Sequence, residues 1–291
     1  MHINMKYYIV SIGAIFISLG IGILVGYNLN YDQELSKQQS NVINDLDSKF
    51  DTLKKTNDNL EKSLADLNDD YDKAIAFINE NVNTLVLDRL TEKNIGIIST
   101  NQDNDYNKII DNVITEANGN IAFDIVLKNN IFNEKKISQL SNKLNLELKN
   151  TKDVMTYIEK VLNGDDINEK LKQLESEDII KINKLNEDNI NYDSIVIAGG
   201  NNGKLGKEQY ENIDKVLIET LKDKEKNIVA VEQSSTKFSY IDLYSKDKIT
   251  TIDNIDEGTG KLSLVIALQD KTVSGKFGKL KGSDSIIPYK K

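Results

Sequence analysis

The side chains in this sequence that could do chemistry are carboxylates, amides and hydroxyls, because cysteine is absent and the only histidine is His2. Without a thiolate there is no cysteine nucleophile and no soft-metal site, and stability cannot come from disulfides. With a single histidine near the amino terminus, no Ser-His-Asp triad, HExxH zinc site or Cys-His pair can be built in the body of the chain. The stretch AGGNNGKLG (198–206) has the composition of a phosphate cradle but not its spacing. A P-loop reads GxxxxGK followed by Ser or Thr, so that backbone amides wrap the phosphate and a hydroxyl reaches Mg²⁺. Here Gly199 and Gly203 are one residue too close, Gly200 does no better, and Leu205 stands in place of the hydroxyl. GxGxxG is missing as well, so a tight strand-to-helix turn is the better reading. Asp103, Asn104 and Asp105 begin like a calcium loop, but an EF-hand needs glycine where Lys108 stands and glutamate where Ile114 stands. Those acids are expected to cap a helix starting near Tyr106. The stretch DNIDEG (253–258) lacks alternate carboxylates and reads as a turn.

The elements around these residues alternate. NIGIIST (94–100), IAFDIVLK (121–128), SIVIAGG (194–200) and NIVAVEQ (227–233) read as strands, each apolar nearly throughout. YNKIIDNVITEAN (106–118) and KEQYENIDKVLIETLKD (207–223) read as amphipathic helices, and 134–176 as two or three helical pieces broken near Asn150 and at Asn163 and Gly164. Strands of that kind between helices predict a parallel sheet covered on both faces, a Rossmann-like or flavodoxin-like α/β domain. Ligands of such sheets sit beyond the carboxyl ends of the strands. Those ends are Ser99, Thr100 and Asn101; Gly199, Gly200, Asn201 and Asn202; and Glu232, Gln233 and Ser234, with 251–256 able to fold over the crevice. Asn101, Asn201, Glu232, Asp253 and Asn254 are the crevice residues this predicts.

Ahead of that domain, residues 7–29 form an uncharged apolar run of 23 residues. As a helix it reaches roughly 35 Å, enough to cross a hydrocarbon core of about 30 Å. Lys6 precedes it and Asp32 and Glu34 follow, which places the amino terminus in the cytoplasm and residues 31–291 outside. A cleaved signal peptide is the competing reading, but its apolar region would be shorter, and Gly26, Tyr27 and Asn28 make a poor cleavage site. Ala14, Ser18, Gly22 and Gly26 recur every four residues, a face that lets two backbones approach, although glycine is common in membrane helices anyway.

A heptad seam follows. Ile43, Phe50, Leu64, Tyr71, Ile78 and Leu85 fall at multiples of seven with Asn57 in register, and Leu46, Leu53, Leu60, Leu67 and Ala74 lie three residues after members of that set. This predicts a parallel coiled-coil dimer in which Asn57, at an a position, fixes the register. The expected organisation is an anchor over 1–30, a stalk over 31–90 and a head over 91–291. Charge is uneven as well: the net −9 divides into +1, −6 and −4 over those segments, while 271–291 carries +5. An acidic stalk disfavours nucleic acid and lipid headgroups as partners. The basic tail reads as solvated, with contact to an anionic cell-wall polymer as the sharper alternative.

The amino-terminal segment, the coil and the run TTIDNIDEGTGKLSLVIALQDKTVSGKFG (250–278) together resemble the MctB family of copper transporters over nearly the whole chain. Thr251, Asp253, Asn254, Gly260, Ala267, Leu268, Gly275, Gly278 and Pro288 fill the places of that family's carboxyl-terminal pattern, with Phe277 where the family usually has tyrosine. The resemblance implies copper handling at the envelope. A related branch, the SteB-like proteins of actinobacteria, implies instead a division factor acting with a membrane partner. Copper(I) wants Cys, Met or His, and Met155 is the only such residue beyond the apolar segment. Copper therefore enters only through the resemblance, and no metal site or other cofactor is assigned. The reading that follows is a dimeric, non-enzymatic envelope protein whose head binds a partner protein. Copper transport or homeostasis, and a small-molecule receptor at the strand ends, are the alternatives.

Overall fold

A computed structural model describes residues 5–104, 106–164, 166–187, 190–203, 206–222 and 226–289. His2, Asp105 and Leu205 lie outside the described residues, as do the side chains of Asn104, Asp32 and Glu34. Contacts divide the chain into two units, Met1–Asp72 and Lys73–Lys291.

The described part of the first unit is a single helix, belonging to α1 (Met5–Val86). No glycine or proline interrupts residues 31–90, which lets the helix run on. Met5–Asn28 is long and apolar enough to cross a membrane, and none of it is buried. Nothing packs on Gly22 or Gly26, and the Ser18 hydroxyl donates to the Ile15 carbonyl at 2.9 Å. The seam residues Ile43, Leu46, Phe50, Leu53, Leu60, Leu64, Leu67 and Tyr71 are all exposed. Asn57 donates to Glu61 one turn on, at 2.9 Å.

In the second unit the remaining helices are α2 (Asn107–Glu116), α3 (Glu134–Leu144), α4 (Thr151–Leu162), α5 (Ile167–Ser176), α6 (Gly206–Gln209), α7 (Lys215–Lys222), α8 (Ile241–Lys246) and α9 (Gly258–Gln269). A π-helical turn, Tyr210–Asp214, joins α6 to α7. The strands are β1 (Asn94–Ser99), β2 (Asn120–Leu127), β3 (Ile180–Leu185), β4 (Ser194–Ala198), β5 (Asn227–Val231), β6 (Thr250–Ile252) and β7 (Lys276–Phe277). They form one sheet in the order β3-β2-β1-β4-β5-β6-β7, parallel throughout except that β3 runs antiparallel to β2. The expected parallel sheet is thus correct but for this edge strand.

Alternation along the central strands explains two cores. Ile195 and Ile197 of β4 and Ile228 and Ala230 of β5 face one core, shared with α4, α5 and α7. Val196 and Ala198, and Val229 and Val231, face the other, shared with α2, α9 and Val82 and Val86 at the end of α1. Successive side chains of a strand point to opposite faces, so a strand buried on both must be apolar at every position. Ile78 and Leu85 also pack on the second core, so these two seam positions serve the head. The helical break at residues 145–150 has local causes. Asn145 takes a left-handed φ of 52° after α3, and Asn150 and Asp153 form a reciprocal capping box that starts α4.

Candidate functional site

The strand order reverses between β1 and β4, so the crevice at their carboxyl ends is where such a sheet binds ligands. All five residues expected there are buried: Asn101, Asn201, Glu232, Asp253 and Asn254. They are not gathered around an open space. Asn101 accepts the Asp103 backbone N–H at 2.9 Å. Asn201 donates to Gln209 at 2.5 Å and accepts the N–H of Gly203, closing the glycine stretch into the expected tight turn, with Gly200 at φ +78°. Glu232 accepts the Tyr240 N–H at 2.6 Å.

Asp253 and Asn254 belong to a different assembly. The Asp253 carboxylate accepts the backbone N–H groups of Lys279 (2.8 Å) and Leu280 (2.9 Å) and the Ser283 hydroxyl (3.2 Å). Asn254 donates to Thr259 at 2.8 Å. The glycines of the same run fit against these two residues. A Cβ on Gly278, whose φ is +129°, would fall 2.1 Å from the Asp253 carboxylate, and one on Gly260 would fall 2.0 Å from the Asn254 carbonyl oxygen. The carboxyl-terminal pattern is therefore a self-fastening structural device. The turn expected at 253–258 is present, with Glu257 N–H bonded to the Asn254 carbonyl before α9 begins.

Residues that pattern reading missed fill the crevice. Tyr106 places its hydroxyl 2.9 Å from the Gly199 carbonyl and 2.6 Å from that of Val231, plugging the ends of β4 and β5. This tyrosine, not an aspartate, is the N-cap of α2, and it makes no side-chain cap hydrogen bond; Asp103 instead accepts from Asn129. Asp214, delivered by the π-helical turn, accepts from the hydroxyls of Thr100 (2.8 Å) and Tyr244. Gln209 donates to the Thr100 hydroxyl at 3.3 Å. Tyr210, Tyr240 and Tyr244 stack around this group with ring centroids 5.5–6.0 Å apart. Their ring area was visible as composition, but their meeting depends on contacts between distant elements.

Burial dominates the electrostatics. It pushes the Asp214 carboxyl up to about 6, against the lowering effect of its donors Tyr244, Thr100 and Gln209. It pushes Glu232 up to about 7, with the charges of Asp214 and Asp253 adding to the rise. One oxygen of Asp214, Oδ2, has no hydrogen-bond partner, as suits a carboxyl that gains a proton easily.

Met155 lies in the apolar core at 1% exposure, so its thioether does not meet solvent. Among the described residues no group of three or more His, Cys, Asp or Glu side chains is placed to hold a metal ion. Part of the basic tail is neutralised within the fold: Lys276 pairs with Asp242 at 2.8 Å and Lys279 with Glu257 at 2.6 Å.

No curated protein sequence matches the chain. The family model described as copper transport outer membrane protein, MctB, matches residues 2–288, nearly the whole length, and the chain belongs to that family.

Proposed function

We propose that this protein is a single-pass, membrane-anchored dimer of the cell envelope, non-enzymatic, with a cytoplasmic amino terminus and an α/β head that binds another envelope or membrane protein. The observation that carries this reading is the seam on α1. Eight large apolar side chains between residues 43 and 71 lie exposed at heptad spacing, with Asn57 in register. A helix of that length with an unburied apolar stripe is stable in water only when the stripe is covered, and the a/d spacing fits a second copy in parallel. Ala14, Ser18, Gly22 and Gly26 supply a close-approach face to the same pair in the membrane. The absence of cysteine and of any histidine beyond His2 leaves few routes to catalysis, and the crevice carboxylates are held by the fold's own donors. The occupied crevice also weighs against a small-molecule receptor at the strand ends.

The cysteine-free sequence makes the test clean. In a parallel dimer a d position meets its own copy, so Leu60→Cys in the full chain should form a disulfide-linked dimer in membranes, whereas Asp58→Cys, one residue outside the seam, should not. Equal crosslinking at both positions, or at neither, would sink the dimer.

Copper transport is the second reading, favoured by the description of the family. Its donors would have to come from a partner, since Met155 is buried. A copper(I) titration of the full chain against a competing chelator decides it: tight stoichiometric binding restores copper, and none leaves a protein-binding scaffold.

A further inference from the structure

Much of the open space in the head lies at the other edge of the sheet. Three cavities, of 690, 640 and 250 Å³, surround the amino ends of β1, β4, β5, β6 and β7. They adjoin: the first two share Gln269, Asp270 and Thr272, and the second and third share Lys226, Asn227 and Lys271. Along their walls stand six cations, Arg89, Lys93, Lys222, Lys226, Lys248 and Lys271, against two carboxylates, Asp193 and Asp270. Both carboxylates already accept backbone N–H groups, from Asn94 and Thr272 respectively. Lys222 reaches Asp247 at 3.7 Å from the last turn of α7, where its charge also complements the helix dipole. Lys226 donates to the Tyr192 carbonyl at 2.6 Å and lies 4.5 Å over that ring, so its charge meets no anion there. Arg89, the sole arginine of the sequence, and Lys93, Lys248 and Lys271 make no ion pair among the described residues.

We propose that this rim is a binding groove for a linear anionic polymer of the envelope, of the polyol-phosphate type. A protein of net charge −9 that keeps a cationic channel across several strand ends concentrates attraction there and repels polyanions elsewhere. Ammonium groups act as point charges that donate to phosphate oxygens in many directions, so a row of them suits evenly spaced single charges rather than one planar carboxylate. Arg89 adds one site of bidentate grip. The choice of an envelope polymer over nucleic acid rests on the extracytoplasmic placement proposed above; the groove itself does not.

The test uses the full chain in neutral detergent and a fluorescent oligo(glycerol phosphate), read by anisotropy. Binding should saturate at 50 mM salt. It should weaken on the order of 50-fold at 200 mM if about four counterions are released. Replacing Arg89, Lys93, Lys248 and Lys271 by serine should weaken binding at least about tenfold without lowering the melting temperature. Serine at Lys135, Lys149, Lys152 and Lys207, away from the rim, should leave binding intact. Equal loss in both variants, or none in the first, overturns the groove. Stronger binding to a DNA oligonucleotide of equal charge, or to anionic lipid vesicles, overturns the choice of polymer. Labelling of Ser283→Cys by an impermeant maleimide in intact cells reports placement separately. Failure of that reading is thus distinguishable from failure of the groove.

Discussion

The two edges of the head's sheet differ in the way that matters for function. At the carboxyl edge, where this topology ordinarily binds ligands, Tyr106, Gln209, Asp214 and Tyr244 occupy the crevice and bond to one another, to Thr100 and to the strand ends, leaving only one oxygen of Asp214 without a partner among them. At the amino edge the cavities are open and the cations around them are largely uncompensated. A sheet can keep its strand order and lose its inherited site once bulky side chains grow into the crevice. What the fold can still recognise then depends on which edge stays open and on the charge left there. The contrast makes opposite claims about the two edges: substitutions at the carboxyl edge should cost stability, and substitutions at the amino edge should not.

The largest effect belongs to Tyr106. Tyr106→Ala removes a buried ring and the hydroxyl that meets two carbonyls, and should destabilise the head by about 3–5 kcal/mol. Tyr106→Phe keeps the ring and leaves those carbonyls short of a donor, for about 1–2 kcal/mol. Denaturant unfolding of the full chain followed by near-ultraviolet dichroism would measure both. An alanine variant losing under about 1 kcal/mol would mean that the crevice is not packed shut.

Next comes pH. The ordinary values are 3.8 for the aspartate and 4.5 for the glutamate, and the fold raises them to about 6 and about 7. Between these limits the folded chain holds protons that the unfolded chain has released. Stability is therefore higher at the acid end and is lost as pH rises through 6 and 7. Each group contributes on the order of 3 kcal/mol at most. Asp178 and Glu187 shift the other way, held down by Lys128 and Lys172. The head should thus be more stable at pH 5.5 than at pH 8. Asp214→Asn and Glu232→Gln should each flatten the slope; a slope that is flat in the parent chain, or reversed, would show that the two carboxyls are solvated.

Much of this architecture was legible in the sequence because local chemistry and fold agreed. Between their end residues the runs at 94–99, 194–198 and 227–231 are apolar and mostly Ile or Val on both faces, which is what burial on both faces demands. The break at Asn150 was legible because a capping box is a local event. β3 was not: IKINKL is an edge strand with only its first residue, Ile180, fully buried, and its alternation stops after Asn183, too short to stand out as a strand. β6 has three residues, too few for any period. α9 is buried nearly all round and so lacks an amphipathic face to betray a helix. At the crevice, the strand-end residues could be read from the strand pattern, but Asp214 and Tyr244 come from elements 114 and 30 residues away from what they touch. The rim was invisible for a related reason. Its cations are spaced from residue 89 to residue 271, one or two ahead of each of β1, β5, β6 and β7, and no run announces them.

A smaller effect tests the amino edge in the stabilising direction. Lys248 follows α8 at φ 57°, a left-handed conformation that glycine adopts without steric cost. Lys248→Gly should raise stability by up to about 1 kcal/mol while removing one rim charge. It would therefore separate a residue kept for its charge from one kept for its backbone.

The smallest effect is the most discriminating. Serine at Lys93 and Lys271 removes two cations that make no ion pair among the described residues. Lys271 is exposed and Lys93 only half-buried, so little packing is lost, and the change should stay within about 0.5 kcal/mol. Its sign carries the information. If the rim cations repel one another, their removal stabilises slightly at low salt, and the gain disappears at 1 M salt, where the screening length falls to about 3 Å. Melting curves of the double variant and the parent at both salts would measure this. A salt-independent loss of stability would mean that these lysines hold the fold together, and the amino edge would then be as structurally committed as the crevice it is compared with.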